Sequence, residues 1–208
     1  MKRLAMPTGL LAAVALIVLS AFAAGSASAV PQFLSTGPLP GLLLILGANK
    51  QFFSTNPGGA SFECEHFRAH GSATNGQAMT AKEVIVTGVY SKCKTVGGLT
   101  AIVTPVEYLL TAEGTVSVIG KPIVITVAAA GCSIKVRNGS TNENLKTIRY
   151  LPDGANPGAI LVHAEVTGIH SEGSGGPVCG EAGVEQTTGE YRGLFLVFLD
   201  GGTIKWDP

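Results

Sequence analysis

The sequence predicts an all-β chain: an antiparallel sandwich or barrel of about ten strands, held by two disulfides. Three observations carry that expectation. Several segments alternate apolar and polar residues with a period of two, as half-buried strands do. Between them, 28 glycines and 11 prolines punctuate runs rich in Val, Ile and Thr. Four cysteines stand far apart in a chain that opens like an export signal, and thiols in an oxidising compartment pair.

Lys2 and Arg3 form a positive start, Leu10 to Ala24 an apolar run, and Ala27-Ser28-Ala29 a small-x-small cleavage site. Residues 1–29 read as a secretory signal peptide cut after Ala29. The apolar run is shorter than the roughly 18 residues that a span needs, so no membrane span is expected after cleavage. No cysteine follows in a position to be lipidated. Removing 29 residues from 208 leaves 179, a single β domain over 30–208. Losing Lys2 and Arg3 from 14 basic residues leaves 12 against 14 acidic ones, a net charge of −2. That scattered, near-neutral balance argues against nucleic acid as a partner.

Along the chain, Leu42 to Leu46 lies between Gly41 and Gly47 and reads as a buried strand. Val106, Tyr108 and Leu110 share one face while Glu107 takes the other. Val116 and Val118 alternate with Thr115 and Ser117, and Ile160, Val162, Ala164 and Val166 alternate with Leu161, His163, Glu165 and Thr167. Leu194 to Leu199 is apolar on both faces and reads as a central strand.

Four cysteines allow three connectivities. In a hairpin, residues equidistant from the turn lie opposite one another. Pairing Cys64 with Cys93 centres a hairpin near Ala78, within the polar stretch Gly71 to Thr80. Pairing Cys132 with Cys179 centres one by Ala155, inside Pro152 to Pro157, the strongest turn signal in the chain. Those two pairings are expected, each contributing roughly 3 to 4 kcal/mol in the chain-entropy picture. No two cysteines are close enough for a zinc site, and no metal or other cofactor is expected.

Two pieces of the chain echo each other. Val86-Thr87-Gly88-Val89 and Val166-Thr167-Gly168-Ile169 each precede a cysteine. Glu107-Tyr108 and Glu190-Tyr191 each lead through an apolar run to an acidic-Gly-Thr turn, Glu113-Gly114-Thr115 and Asp200-Gly201-Gly202-Thr203. The readings are duplication of a β unit, with one disulfide in each half, or reuse of turn chemistry. This layout of paired cysteines, Glu-Tyr strands and Gly-rich hairpins resembles exported bacterial β-rich proteins of unassigned function. The resemblance implies an extracytoplasmic setting and supplies no reaction.

Gly173 to Cys179 (GSGGPVC) resembles the nucleophile segment of trypsin-like serine proteases, Gly-Asp-Ser-Gly-Gly-Pro. The resemblance makes Ser174 a candidate nucleophile and His70, preceded by Ala69, its base. Gly173 stands where that family has an acid, and Gly71 where it has a cysteine. Between His70 and Ser174 the one Asp is Asp153, inside the turn segment. His66 and His70 are expected on one strand face with Cys64 and Arg68, some 13 Å apart at about 3.3 Å per residue, too wide for one metal ion. Glu63 and Glu65 share a face and read as surface charge. Thr95 to Leu99 lacks the Lys-Ser/Thr ending of a phosphate loop. Trp206 and Tyr191 are candidates to stack on a sugar or to lie in the core.

With no complete catalytic set, the expectation is a secreted or envelope-associated module that binds an extracellular or envelope ligand or serves structurally. The alternative is a divergent serine hydrolase using Ser174 and His70.

Overall fold

A computed structural model describes residues 31–36, 41–56, 59–73, 80–81, 83–136 and 148–208. The signal-peptide reading of residues 1–29 therefore lies outside the described residues. The described chain is β throughout, apart from one turn of 3-10 helix at Ala128–Ala130.

Its strands are β1 (Gln32–Thr36), β2 (Gly41–Gly47), β3 (Gln51–Ser54), β4 (Ser61–Ala73) and β5 (Thr80–Ala81). There follow β6 (Glu83–Thr95), β7 (Thr100–Val103), β8 (Val106–Thr111), β9 (Val116–Ile119) and β10 (Ile123–Val127). The last are β11 (Cys132–Val136), β12 (Ile148–Pro152), β13 (Ile160–Gly173), β14 (Glu185–Leu199) and β15 (Thr203–Asp207). The count exceeds the ten that the sequence suggested because the long strands change partner along their length. β6 pairs β8 through Glu83 to Gly88 and then β7 at Cys93 and Lys94. β13 pairs β12 through Ile160 to Ala164 and β11 through Ser171 to Gly173.

Followed from neighbour to neighbour, the antiparallel pairings close on themselves. β4 joins β6, then β7, β10, β11, β13, β14 and β3, and β3 returns to β4. The architecture is therefore a barrel, and a ring of about eight strands leaves an interior that side chains fill or that holds one small ligand. Each strand of the ring has a partner on both sides, while among the described residues β9 pairs only β8 and β12 only β13. The strands β15, β1 and β5 form a separate three-stranded sheet beside it. That sheet docks through Phe33, whose ring meets Tyr150 edge-on at 5.0 Å, and through Trp206, whose indole N–H donates to the Ala112 carbonyl at 2.9 Å.

The alternations place the core. Ile160, Val162, Ala164 and Val166 are buried along β13, and Val106 is buried on β8. β14 is flanked on both edges, by β13 and β2, as its apolar sequence suggested. β2 is different from its expectation: Leu43 and Ile45 are buried, but Leu42 is 49% exposed and Leu44 38%. Its outer face carries leucines that nothing among the described residues covers.

One local irregularity reorients a whole strand face. β4 and β6 keep a constant register from Phe62 opposite Thr95 to Gly71 opposite Val86. Yet the buried side passes from Phe62 and Cys64 to Phe67 and Ala69. The pleat slips on both strands at once, and Lys92 sits there in the left-handed region at φ 53°. As a result Cys64 points inward while His66, Arg68 and His70 point out, so Cys64 does not share the histidine face that simple alternation predicted.

Both expected disulfides are present, and no described cysteine is free. Cys64 and Cys93 are direct cross-strand partners in β4 and β6, as the hairpin argument required. Cys132 and Cys179 pair for another reason. The turn at Pro152 to Ala159 does join two antiparallel strands, β12 and β13, but Cys132 opens β11 and Cys179 lies in the loop after β13. The second disulfide ties a loop to a strand end.

Candidate functional site

Inward-facing side chains of the barrel leave a cavity of about 130 Å³. The lining is aliphatic, with Ile125, Val162 and Val197, and aromatic, with Phe62, Phe67 and Phe195. Phe67 packs at 4.6 Å from Tyr90 and 5.1 Å from Phe195, ring centre to ring centre. Among the described residues none that lines it carries a charge. On the β8–β9 hairpin the lining residues Tyr108, Leu110, Val116 and Val118 are half-buried.

A single line of polar groups crosses this apolar interior. The Tyr108 and Tyr90 hydroxyls are 2.8 Å apart. Tyr90 donates to the Tyr191 hydroxyl at 3.3 Å, and Tyr191 donates to Gln51 Oε1 at 2.6 Å. Gln51, 2% exposed, closes the line by donating from Nε2 to the Asn49 carbonyl at 2.7 Å. Four strands, β8, β6, β14 and β3, thus meet in the interior through side chains. Burial pushes the phenols of Tyr90, Tyr108 and Tyr191 well above their ordinary range, so all three stay neutral.

The space for this line is made by Gly193. A Cβ there would lie 1.9 Å from Gln51 Oε1 and 2.9 Å from the Tyr191 hydroxyl. Any larger residue would displace the amide that anchors the line.

The protease-like residues lie elsewhere. Ser174 Oγ accepts a hydrogen bond from the Ser133 N–H at 2.7 Å, and its own N–H donates to the Ser133 carbonyl at 2.8 Å, so the residue extends the β11 edge. His70 is exposed on β4, between Leu44 and Thr87. In the ring β4 is separated from β11 by β6, β7 and β10 on one side and by β3, β14 and β13 on the other. The structure does not bring Ser174 and His70 together. Asp153 accepts hydrogen bonds from Asn156 Nδ2 and, at 3.0 Å, the Ala155 N–H, which hold its carboxyl below the usual range and occupy it within its turn. At Gly173 a Cβ would lie 2.0 Å from the Cys179 carbonyl oxygen, so the acid of the protease pattern has no room there.

Other candidates resolve locally. Glu63 pairs with Lys50 and Glu65 with Lys92, all on the surface. His163 sits beside Glu165 at 3.7 Å. His66 belongs to no group of three or more potential metal ligands among the described residues. Trp206 packs on Tyr150 at 5.8 Å and donates to the Ala112 carbonyl, and Tyr191 belongs to the interior line. Sequence reasoning missed the cavity and Gln51. The signal that pointed to them was the doubled Glu-Tyr, since Tyr108 and Tyr191 both enter the interior line.

Fold and site together define a closed antiparallel barrel around an uncharged, apolar cavity with one internal polar line. The chain matches no family model, no curated protein and no solved structure. Among the described residues no helix is long and apolar enough to cross a membrane.

Proposed function

We propose that the protein is an exported, non-catalytic binding module whose barrel interior holds one small, largely apolar molecule. The cavity carries this reading. It approaches the roughly 150 Å³ of an apolar engineered cavity that stays dry and takes up benzene. The uncharged lining and the absence of an assembled acid–base pair among the described candidates favour binding over turnover. Two disulfides are compatible with an oxidising, extracytoplasmic setting, and the first 29 residues have the pattern of a signal.

The test is thermal unfolding of the oxidised protein with and without saturating toluene. Occupancy of the folded barrel alone raises the midpoint with ligand concentration. An unchanged midpoint with toluene, and with benzene as a smaller probe, would overturn the reading. The export part is checked by intact mass: a secreted chain beginning at Val30, with no free thiol, is the expected product. Labelling of Ser174 by a fluorophosphonate would instead favour the hydrolase.

A further inference from the structure

The interior line of hydroxyls has a direction, and the direction specifies the ligand. A backbone carbonyl can only accept, so the bond from Gln51 Nε2 to the Asn49 carbonyl fixes which way the amide faces. Oε1 therefore points to Tyr191 and must receive that hydroxyl's proton. With its one proton committed, Tyr191 is the acceptor for Tyr90. Tyr90 has then committed its own proton and is the acceptor for Tyr108. The line ends at Tyr108, whose proton points to Tyr90 and whose oxygen retains acceptor capacity. Among the described residues no donor reaches that oxygen, and Tyr108 lines the cavity.

We infer that the cavity selects neutral, mostly apolar molecules bearing one hydroxyl or equivalent donor, which bonds to the Tyr108 oxygen, and discriminates against carboxylates and against ligands that only accept. The inference rests on the binding reading above and adds the chemistry of the occupant. A carboxylate would bring a charge into a lining without a cation and face it with an oxygen lone pair, both unfavourable. A ketone or ether would need the Tyr108 proton, and that costs one bond of the line: the Tyr108–Tyr90 bond or, where Tyr90 turns to donate to Tyr108, the Tyr90–Tyr191 bond. The raised phenol pKa values keep every proton of the line in place at neutral pH.

The experiment is calorimetric titration of the oxidised protein with toluene, phenol, benzaldehyde and benzoate at pH 7.5, for the natural chain, Tyr108→Phe and Gln51→Met. The natural chain is expected to bind toluene and phenol and not benzoate. Tyr108→Phe should weaken phenol about fivefold, the worth of one hydrogen bond, and leave toluene within about twofold. Gln51→Met removes the anchor that sets direction, so the preference for phenol over benzaldehyde should narrow. Equal losses for phenol and toluene in Tyr108→Phe, or benzoate binding as tightly as phenol, would overturn the inference while leaving the binding reading intact. Failure of toluene and phenol alike to bind the natural chain would remove both.

Discussion

The β6–β8 and β13–β14 pairs are built alike and end differently. In the first, Val86 lies opposite Tyr108 and Thr87 opposite Glu107; in the second, Val166 lies opposite Tyr191 and Thr167 opposite Glu190. The echo in the sequence is thus an echo in register. Each pair then reaches a turn with a left-handed glycine, Gly114 at φ 87° and Gly201 at φ 72°. Beyond the turn, β9 folds back onto β8, whereas β15 leaves the barrel to pair with β1. The cause is edge availability: β8 has a free edge, while β14 from Phe195 to Val197 is flanked by both β13 and β2. Local chemistry sets the pairing, and occupancy of neighbouring edges sets where the chain goes next.

The largest expected effect is alkaline. All four tyrosines, Tyr90, Tyr108, Tyr150 and Tyr191, have their pKa raised by burial. The unfolded chain ionises them near pH 10 while the folded chain holds its protons, so stability is intact below that pH and falls above it. Each contributes up to about 1.4 kcal/mol per pH unit. Denaturant melts between pH 8 and 11 should show the fall, and Tyr108→Phe and Tyr191→Phe should each flatten it by one proton. Unequal flattening would break the likeness of the halves.

The disulfides separate the halves more sharply. Replacing either pair by alanine should cost about 2 to 5 kcal/mol in unfolding free energy. Only loss of Cys132–Cys179 should speed amide exchange in β11 and residues 174–184, because that bond tethers a loop while Cys64–Cys93 reinforces a long ladder. Next come the residues two beyond each tyrosine. Gly193→Ala intrudes on Gln51 and should cost about 1 to 3 kcal/mol through overpacking. Its counterpart Leu110 lines the cavity, so Leu110→Ala should enlarge the space for probes such as toluene. Thermal melts and the toluene affinity distinguish the two.

The smallest contrast is between the tyrosines themselves at neutral pH. Tyr191→Phe strips Gln51 Oε1 of its donor and leaves a buried acceptor unpaired, worth about 1 to 2 kcal/mol. Tyr108→Phe removes only the end of the line and should cost at most about 1 kcal/mol. Equal costs, measured by denaturant unfolding, would show that the line has no direction.

What the sequence made legible was what neighbours decide. Alternation at 106–110 and 160–166 located inward faces, the Pro152 to Pro157 segment located a turn, and the paired cysteines were correctly matched. Three things depended on distant partners. The paired slip at Lys92 turned His66 away from Cys64 without any pattern to announce it. Closure of the ring through the four-residue β7 depends on which edges meet. Gln51 reads as an ordinary polar residue until β14 brings Tyr191 beside it.

The pairing of β1 with β15 has a kinetic consequence. Residues 32–36 find their long-strand partner at 203–207, almost the whole domain later. β2 and β3 likewise wait for β14. Folding of such non-local topology is slow, because loop closure must precede the contacts that reward it. Ring closure, which needs β14 to join β13 to β3, therefore cannot precede the availability of residues 185–199.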